Sequence, residues 1–380
     1  MLLRRPNPAN TPGIVTPAGD LAMLTTRQPV LRRFWYATHR LEDLADGPKP
    51  FTLLGEKIVL FVDSKGAPAA LMDRCCHRTA RLSKGWCKGD LIVCGYHGWA
   101  YDRSGALIEV PQFSPEQIVP RIGVHAFRCV ARYGYAWVCL GEPLTDIPVI
   151  PEDADPSYRR IQQFHEDWKT APLRLMENSF DNAHFSFVHK STFGQIDQPV
   201  PEKYAITETD YGFEAETIVA INNPPAAHRI TGSDAPTTRR HMRNKWFMPF
   251  CRRLDIEYHS GLRHIIFNCA TPVDDGTLRL AQILYRNDSE ADCPTDALIA
   301  WDAAILQEDR DILEATDFDA TVDMKRKVEA HMPSDKPGMI MRRRLLELLR
   351  DHDEEEVSEA KPAVAVPEMP AFAMNGELGR

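Results

Sequence analysis

The chain has 380 residues and a formal net charge of −9, too long for one ordinary core and too acidic to offer nucleic acid a basic face. Its 43% hydrophobic and 26% charged residues are the balance of a globular protein, and no window nears the ~18 uninterrupted apolar residues of a membrane span. The start, MLLRRPNPANTPG, is basic with no apolar stretch after it, so no signal peptide is expected. Nine cysteines without framework spacing suit a reducing cytoplasm, where thiols stay free for metals.

Residues 1–27 carry Pro, Thr and Gly without an apolar period and are expected to form an arm. A compact domain over 28–145 follows, with strands predicted at FTLLG, KIVLFVD and AALMD and a turn at Ser64-Lys65-Gly66. The next stretch holds two ligand hooks, Cys75-x-His77 and Cys94-x-x-His97, with sixteen residues between them. Each hook supplies one thiolate and one imidazole, the inventory of a two-iron cluster with Cys on one iron and His on the other. The alternative is a Cys2His2 zinc site, which usually pairs Cys with Cys and His with His. Cys76 is a second thiol that could compete for iron or oxidise. Cys75 is preferred because alternation lets it point the same way as His77 along an extended hook. Cys87, Cys129, Cys139, Cys251, Cys269 and Cys293 read as apolar fillers. The runs FRCVA and YAWVCL, paired about Arg132-Tyr133-Gly134, close an all-β unit, and 146–158 reads as a linker.

Residues 159–350 mix strand-like runs (FEAETIVAI, LDIEYH, RHIIFNCATPV, LRLAQILYRN) with helices predicted at about 172–189 and 295–316, an α+β layering. On the first helix Asn178, Asp181 and His184 share a face. His189, five residues on, joins them only if the helix ends or widens between the two histidines. On their own such residues are more often satisfied polar groups than ligands. On the second helix Asp309 falls on the apolar face of Leu298, Trp301, Ile305 and Ile312, where a carboxylate is costly unless paired or metal-bound. Asp311 projects oppositely, Glu308 lies a quarter-turn off, and Asp302 is the weaker alternative acid. Residues 226–245, with Arg229, Arg239, Arg240, His241 and Arg243, read either as a loop near a pocket that pairs with a carboxylate or as solvated surface. Trp246 and Phe247 are pocket or core. The acidic 351–380 tail is expected to be disordered.

The hooks, together with Arg78, Leu82, Ser83, Gly85, Tyr96, Gly98, Trp99, Tyr101 and Gly105, resemble the Rieske [2Fe-2S] domain of ring-hydroxylating and related Rieske oxygenases. The pattern Asn178-x2-Asp181-x2-His184-x4-His189 is similar to that of their catalytic domain, and the run from His331 to Lys336 followed by Arg342-Arg343-Arg344 is similar to the carboxyl end of stand-alone phthalate-, vanillate-, dicamba- and saxitoxin-pathway oxygenase subunits. The resemblance spans about 34–346. It implies an all-β Rieske domain followed by an α+β catalytic domain built as a helix-grip-like antiparallel sheet. By it, Cys75, His77, Cys94 and His97 hold the cluster, and His184, His189 and Asp309 hold a mononuclear Fe(II). Asp181 would link that iron to His97 of a neighbouring copy, which implies a head-to-tail homotrimer, and Asn178 would support the same region.

The implied function is that of a terminal oxygenase, hydroxylating or O- or N-demethylating an aromatic or cyclic small molecule with O2 in aromatic catabolism. Aromatic-ring cis-dihydroxylation is the alternative. Neither G-x-G-x-x-G nor a plant-type ferredoxin motif occurs, so NAD(P)H electrons must come through a separate reductase, with or without a ferredoxin. Two other classes remain: a Rieske electron-transfer protein without oxygenase activity, and a zinc-stabilised binding protein. No nucleic-acid or membrane partner is expected.

Overall fold

The computed structural model describes residues 24–318 and 320–357, so most of the expected arm and tail lies outside the described residues. After a single helical turn, α1 (Leu24–Arg27), ten strands follow: β1 (Tyr36–Arg40), β2 (Lys49–Leu53), β3 (Glu56–Val62), β4 (Pro68–Met72), β5 (Trp86–Lys88), β6 (Leu91–Val93), β7 (Ala100–Tyr101), β8 (Leu107–Glu109), β9 (Ala126–Arg132) and β10 (Tyr135–Cys139). They form a six-stranded sheet in the order β1-β10-β9-β4-β3-β2 and a four-stranded sheet, β5-β6-β7-β8, that carries the hooks.

The second half runs β11 (Arg159–Trp168), α2 (Pro172–Ser179), α3 (Phe185–Val188), β12 (Ala205–Thr209), β13 (Gly212–Asn222), α4 (His228–Thr231), β14 (Thr237–Phe247), β15 (Cys251–Glu257), β16 (Arg263–Pro272), β17 (Leu278–Arg286), α5 (Thr295–Leu313) and α6 (Lys336–Asp351). Its seven strands make one antiparallel sheet, β11-β17-β16-β15-β14-β13-β12. The α+β expectation holds.

Alternation along these strands explains how one sheet serves two partners. Successive side chains point to opposite faces, so Ile265, Phe267, Cys269, Ala281, Ile283 and Tyr285 pack with Ala37, Tyr135 and Trp137 of the first domain. Their neighbours His264, Ile266, Asn268 and Gln282 turn the other way, into the cavity described below. Over that second face lie α2, against β15 and β16, and α5, against β11 and α2. The linker is part of the core rather than a free tether: Ile147 and Ile150 are buried. Tyr133 Oη donates to the Pro148 carbonyl at 2.8 Å and accepts from the Ile150 N–H at 2.9 Å.

Two expectations need correction. The helix predicted over 172–189 is interrupted. Asp181 Oδ1 accepts the Ala183 N–H at 2.7 Å, a local side-chain bond of the kind that competes with helix continuation, and the chain re-enters only the single turn of α3. The run 226–245 is not a loop: most of it is α4 and β14, whose buried positions Arg240, Met242, Asn244 and Trp246 alternate with half-buried ones. The pattern was obscured because two of those inward residues are polar. Of the acidic tail, residues 351–357 are among those described, and most of the expected tail lies outside them. Glu354 accepts the Val30 N–H at 2.7 Å, and Glu356 accepts those of Val322 and Asp323 at 2.6 and 3.0 Å.

Candidate active site

The two hooks are brought together by close backbone approach. A Cβ on Gly85 would lie 1.8 Å from the Val93 carbonyl oxygen, and one on Gly95 would lie 2.7 Å from that of Lys84, so only glycine lets the hooks meet. Cys75 and Cys94 are buried, while the His77 and His97 rings sit 4.5 Å apart, half-buried at the outer edge. His77 also stacks on Trp99 at 4.4 Å. The two buried thiols and the two paired imidazoles suit a cluster that takes Cys on one iron and His on the other. The Tyr101 hydroxyl lies 3.0 Å from Cys75 Sγ and 3.3 Å from Cys76 Sγ. Cys76 is thus near the cluster side of the hook, within reach of the same hydroxyl.

The converging group is His184, His189 and Asp309. His184 and His189 flank the one turn of α3, so the helix end that their spacing demanded is present. Their Nε2 atoms face each other at 3.1 Å and lie 3.5 and 3.3 Å from Asp309 Oδ1. A triangle of those sides has its corners about 1.9 Å from its centre, and first-row metal–nitrogen and metal–oxygen bonds run about 2.0–2.2 Å, so one ion just off the plane reaches all three. Three donors on one side leave the opposite positions open, as a 2-His-1-carboxylate site requires.

The neighbours set which atom of each ligand is offered. Asp181 Oδ2 lies 3.3 Å from His184 Nδ1, and Glu308 Oε2 accepts from His189 Nδ1 at 3.0 Å. Carboxylate partners place the proton on Nδ1 and leave Nε2 as the free lone pair. Asn178 Nδ2 donates to Asp309 Oδ1 at 3.0 Å. Burial alone would push the His189 imidazole down, but Asp309 and Glu308 together raise it above its ordinary value. Burial pulls Asp309 up, yet His189, His184 and Asn178 hold its carboxyl below the usual range. Glu308 was missed as a partner of His189. The signal available was its quarter-turn offset from Asp309, which places it on the shoulder of the same helix face.

The open side of the triad faces a cavity of about 830 Å3, open mouth included. Leu175, Phe185, Phe193, Met242, Leu254 and Ile305 give it apolar walls, with Arg240, His264, Asn268, Gln282 and Asp302 as polar points. Asp302, the weaker alternative ligand, stands apart from the triad. It accepts from Gln163 Nε2 at 2.6 Å, and burial pushes its carboxyl up to about 6. Arg286 has only donors to offer His264 Nδ1 at 2.9 Å, so that ring carries its proton on Nε2, 3.6 Å from Asp302. Of the basic run, Arg240 alone lines the cavity; Arg243 pairs with Glu257, and His241 with Glu216. Trp246 is core, and Phe247 stacks on Tyr211, away from the cavity.

A Cys2His2 group and an open triad site in one chain are the inventory of an oxygen-activating oxidoreductase. Residues 34–130 match the Rieske [2Fe-2S] domain, and residues 168–351 match the vanillate O-demethylase oxygenase C-terminal domain. Similar proteins include the methylxanthine N1-demethylase NdmA of Pseudomonas putida, 30% identical over 351 residues, covering 88% of this chain and 94% of NdmA. The N3-demethylase NdmB of the same organism is 30% identical over 78% of this chain and 84% of its own. The solved structure of NdmA superposes with a TM-score of 0.71 at 27% identity, over 88% of this chain and 98% of that one. Dicamba monooxygenase bound to dicamba shares the fold, with a TM-score of 0.70 at 22% identity over 86% of this chain and 99% of that one.

The chain belongs to the Rieske non-heme iron oxygenases, whose domains imply a [2Fe-2S] cluster, a mononuclear iron and O2 as co-substrate. No helix among the described residues is long and apolar enough to cross a membrane.

Proposed function

We propose that the chain is the terminal oxygenase that hydroxylates, or removes an O- or N-methyl group from, a small ring-containing substrate. Cys75, His77, Cys94 and His97 would hold the cluster, and His184, His189 and Asp309 the catalytic iron. The observation that carries this reading is the triad of donor atoms opening onto an apolar-walled cavity. Iron bound there supplies the reductive activation of O2 at its open positions. The chain's own residues do the rest. Asp181 and Glu308 hold the Nδ1 protons of the two histidines, and Asn178 orients Asp309. Phe185 and Phe193 pack around the His189 ring and keep water from that side.

The same reading assigns electron supply to a separate NAD(P)H-dependent reductase, with or without a ferredoxin, in the cytoplasm. His77 and His97 reach the surface, with the Tyr96 ring, 64% exposed, packed against His97, an apolar contact suited to docking. The Asp181 side chain is also 31% exposed, so a neighbouring copy's cluster could approach it in a head-to-tail homotrimer.

The test is iron and acid-labile sulfide analysis with visible and EPR spectra on anaerobically purified protein, wild type and His184→Ala. About three irons and two sulfides per chain are expected, with one iron lost and the cluster spectrum kept in the variant. Zinc without sulfide, or loss of cluster colour in His184→Ala, would overturn the two-site reading.

A further inference from the structure

The cavity holds a guanidinium that no carboxylate among the described residues contacts. Arg240 faces inward from β14 at 7% exposure, and its Nε is buried without a hydrogen-bond partner. Among the described residues its guanidinium makes no ion pair. Its guanidinium carbon lies 4.5 Å from the centroid of the Phe193 ring. Phe193 in turn stacks on His189 at 4.6 Å. Burying a cation without a paired anion costs several kcal/mol. Arg252, the other arginine lining the cavity, also lacks an ion pair among the described residues, but it donates its Nε to Asn244 Oδ1 at 2.8 Å and lies over the Phe180 ring. Arg286 is held by Asp288, and His264 is kept neutral by burial and by its donor Arg286. Asp302 on α5 lines the same cavity and feels the Arg240 charge. It lies outside ion-pair distance of Arg240 and gives its Oδ2 to Gln163 on β11.

We propose that Arg240 is the anchor for an anionic substrate, an apolar ring compound bearing a carboxylate, which enters the cavity with its charge on Arg240 and its body against the aliphatic walls above the triad. The proposal deepens the preceding reading, since it takes that cavity as the substrate site. The wall composition argues for the ring: Leu175, Leu254, Ile256, Ile266, Ile305 and Leu306 offer a ring no polar partner. The guanidinium argues for the carboxylate, because its planar fork matches a carboxylate with two parallel N–H donors. The Phe193 contact fixes the fork without using those donors, so they remain available. It also couples the anchor mechanically to His189, so a bound anion bears on the ring that faces the iron position.

The experiment uses the cluster-loaded holoenzyme and isothermal titration calorimetry. Three matched pairs serve as probes: benzoate, 4-methoxybenzoate and cinnamate, each against its neutral primary amide. Wild type should bind at least one carboxylate about thirtyfold or more tightly than its amide, since losing one member of a buried charge pair costs about 2–5 kcal/mol. Arg240→Gln should abolish that preference by weakening the acid while leaving the amide within about threefold, and Arg240→Lys should restore part of it.

Equal binding of acid and amide in wild type, no saturable binding of any acid up to about 10 mM, or a preference that survives in Arg240→Gln would each overturn the proposal. Should Arg240→Gln fail to fold, the wild-type comparison and Arg240→Lys still decide. Iron and sulfide are counted on the same preparation, so a missing catalytic iron, which defeats the function proposed above, is told apart from a cavity that does not select anions.

Discussion

Glu308 Oε2 accepts the Nδ1 proton of His189 at 3.0 Å and the hydroxyl proton of Thr192 at 2.8 Å. One carboxylate therefore ties α5 both to the ligand histidine and to the turn that follows it. A carboxylate on the far nitrogen fixes ring orientation and makes Nε2 a better donor. Replacing Glu308 with Ala should weaken iron retention about 10–100-fold, measured as chelator concentration for half-release, while the cluster spectrum stays. Glu308→Gln, which can still accept through its amide oxygen, should fall between. Iron retention unchanged in both would remove Glu308 from the site.

Asp181 holds His184 from the opposite side and is partly exposed. Asp181→Asn should leave both metal centres loaded, because Asn can still accept the Ala183 N–H through its side-chain oxygen. Substrate oxidation should drop about tenfold or more. Single-turnover oxidation of the reduced protein, followed by recovery of the oxidised cluster's visible absorption, reads this out. Wild-type turnover in the variant would reject Asp181 as the link between centres.

Gly194 donates its N–H to the His189 carbonyl at 2.7 Å. A Cβ there would lie 2.1 Å from the Phe185 carbonyl oxygen and 2.9 Å from the His189 backbone. Those are backbone atoms with little room to yield, so Gly194→Ala must shift the turn. It should cost about 1–3 kcal/mol, seen as a lower Tm, and should release iron more readily than wild type. A variant with both properties of wild type would show that the turn can adjust.

Asp302 gives a pH signature. Its folded pKa of about 6 lies above the ordinary carboxyl value of about 3.9. Below the lower value both states are protonated and the group costs nothing. As pH rises through this window the unfolded chain ionises more easily than the folded one, and stability is lost, levelling above about pH 6 at about 3 kcal/mol. Asp302→Asn, which keeps an acceptor for Gln163, should therefore match wild type near pH 4 and exceed it above pH 6, measured by Tm across that range. Gln163, His264, Arg240 and Arg286 are the groups facing it, and burial, with Arg286 and Arg240, holds His264 well below its usual value. A variant less stable than wild type at neutral pH would overturn the assignment.

The hooks were legible because short covalent spacing already places Cys75 with His77 and Cys94 with His97; no fold is needed to read them. Asp309 was legible because helical periodicity alone puts it on a buried face, where a carboxylate demands a partner. The edges of β3, β13, β16 and β17 followed from runs of apolar and β-branched residues. What the sequence could not determine was every relation that depends on where one element stops and another returns. The Asp181 side chain ends the helix so that His184 and His189 turn their Nε2 atoms to one point, and the chain after His189 folds back on α5, bringing Glu308 to the ring. Arg240 was one of five basic residues in a polar run. Its neighbours found carboxylates or solvent, and only strand alternation within the seven-stranded sheet buried this one unpaired, since a side chain's face is set by the register of its strand and not by its own chemistry.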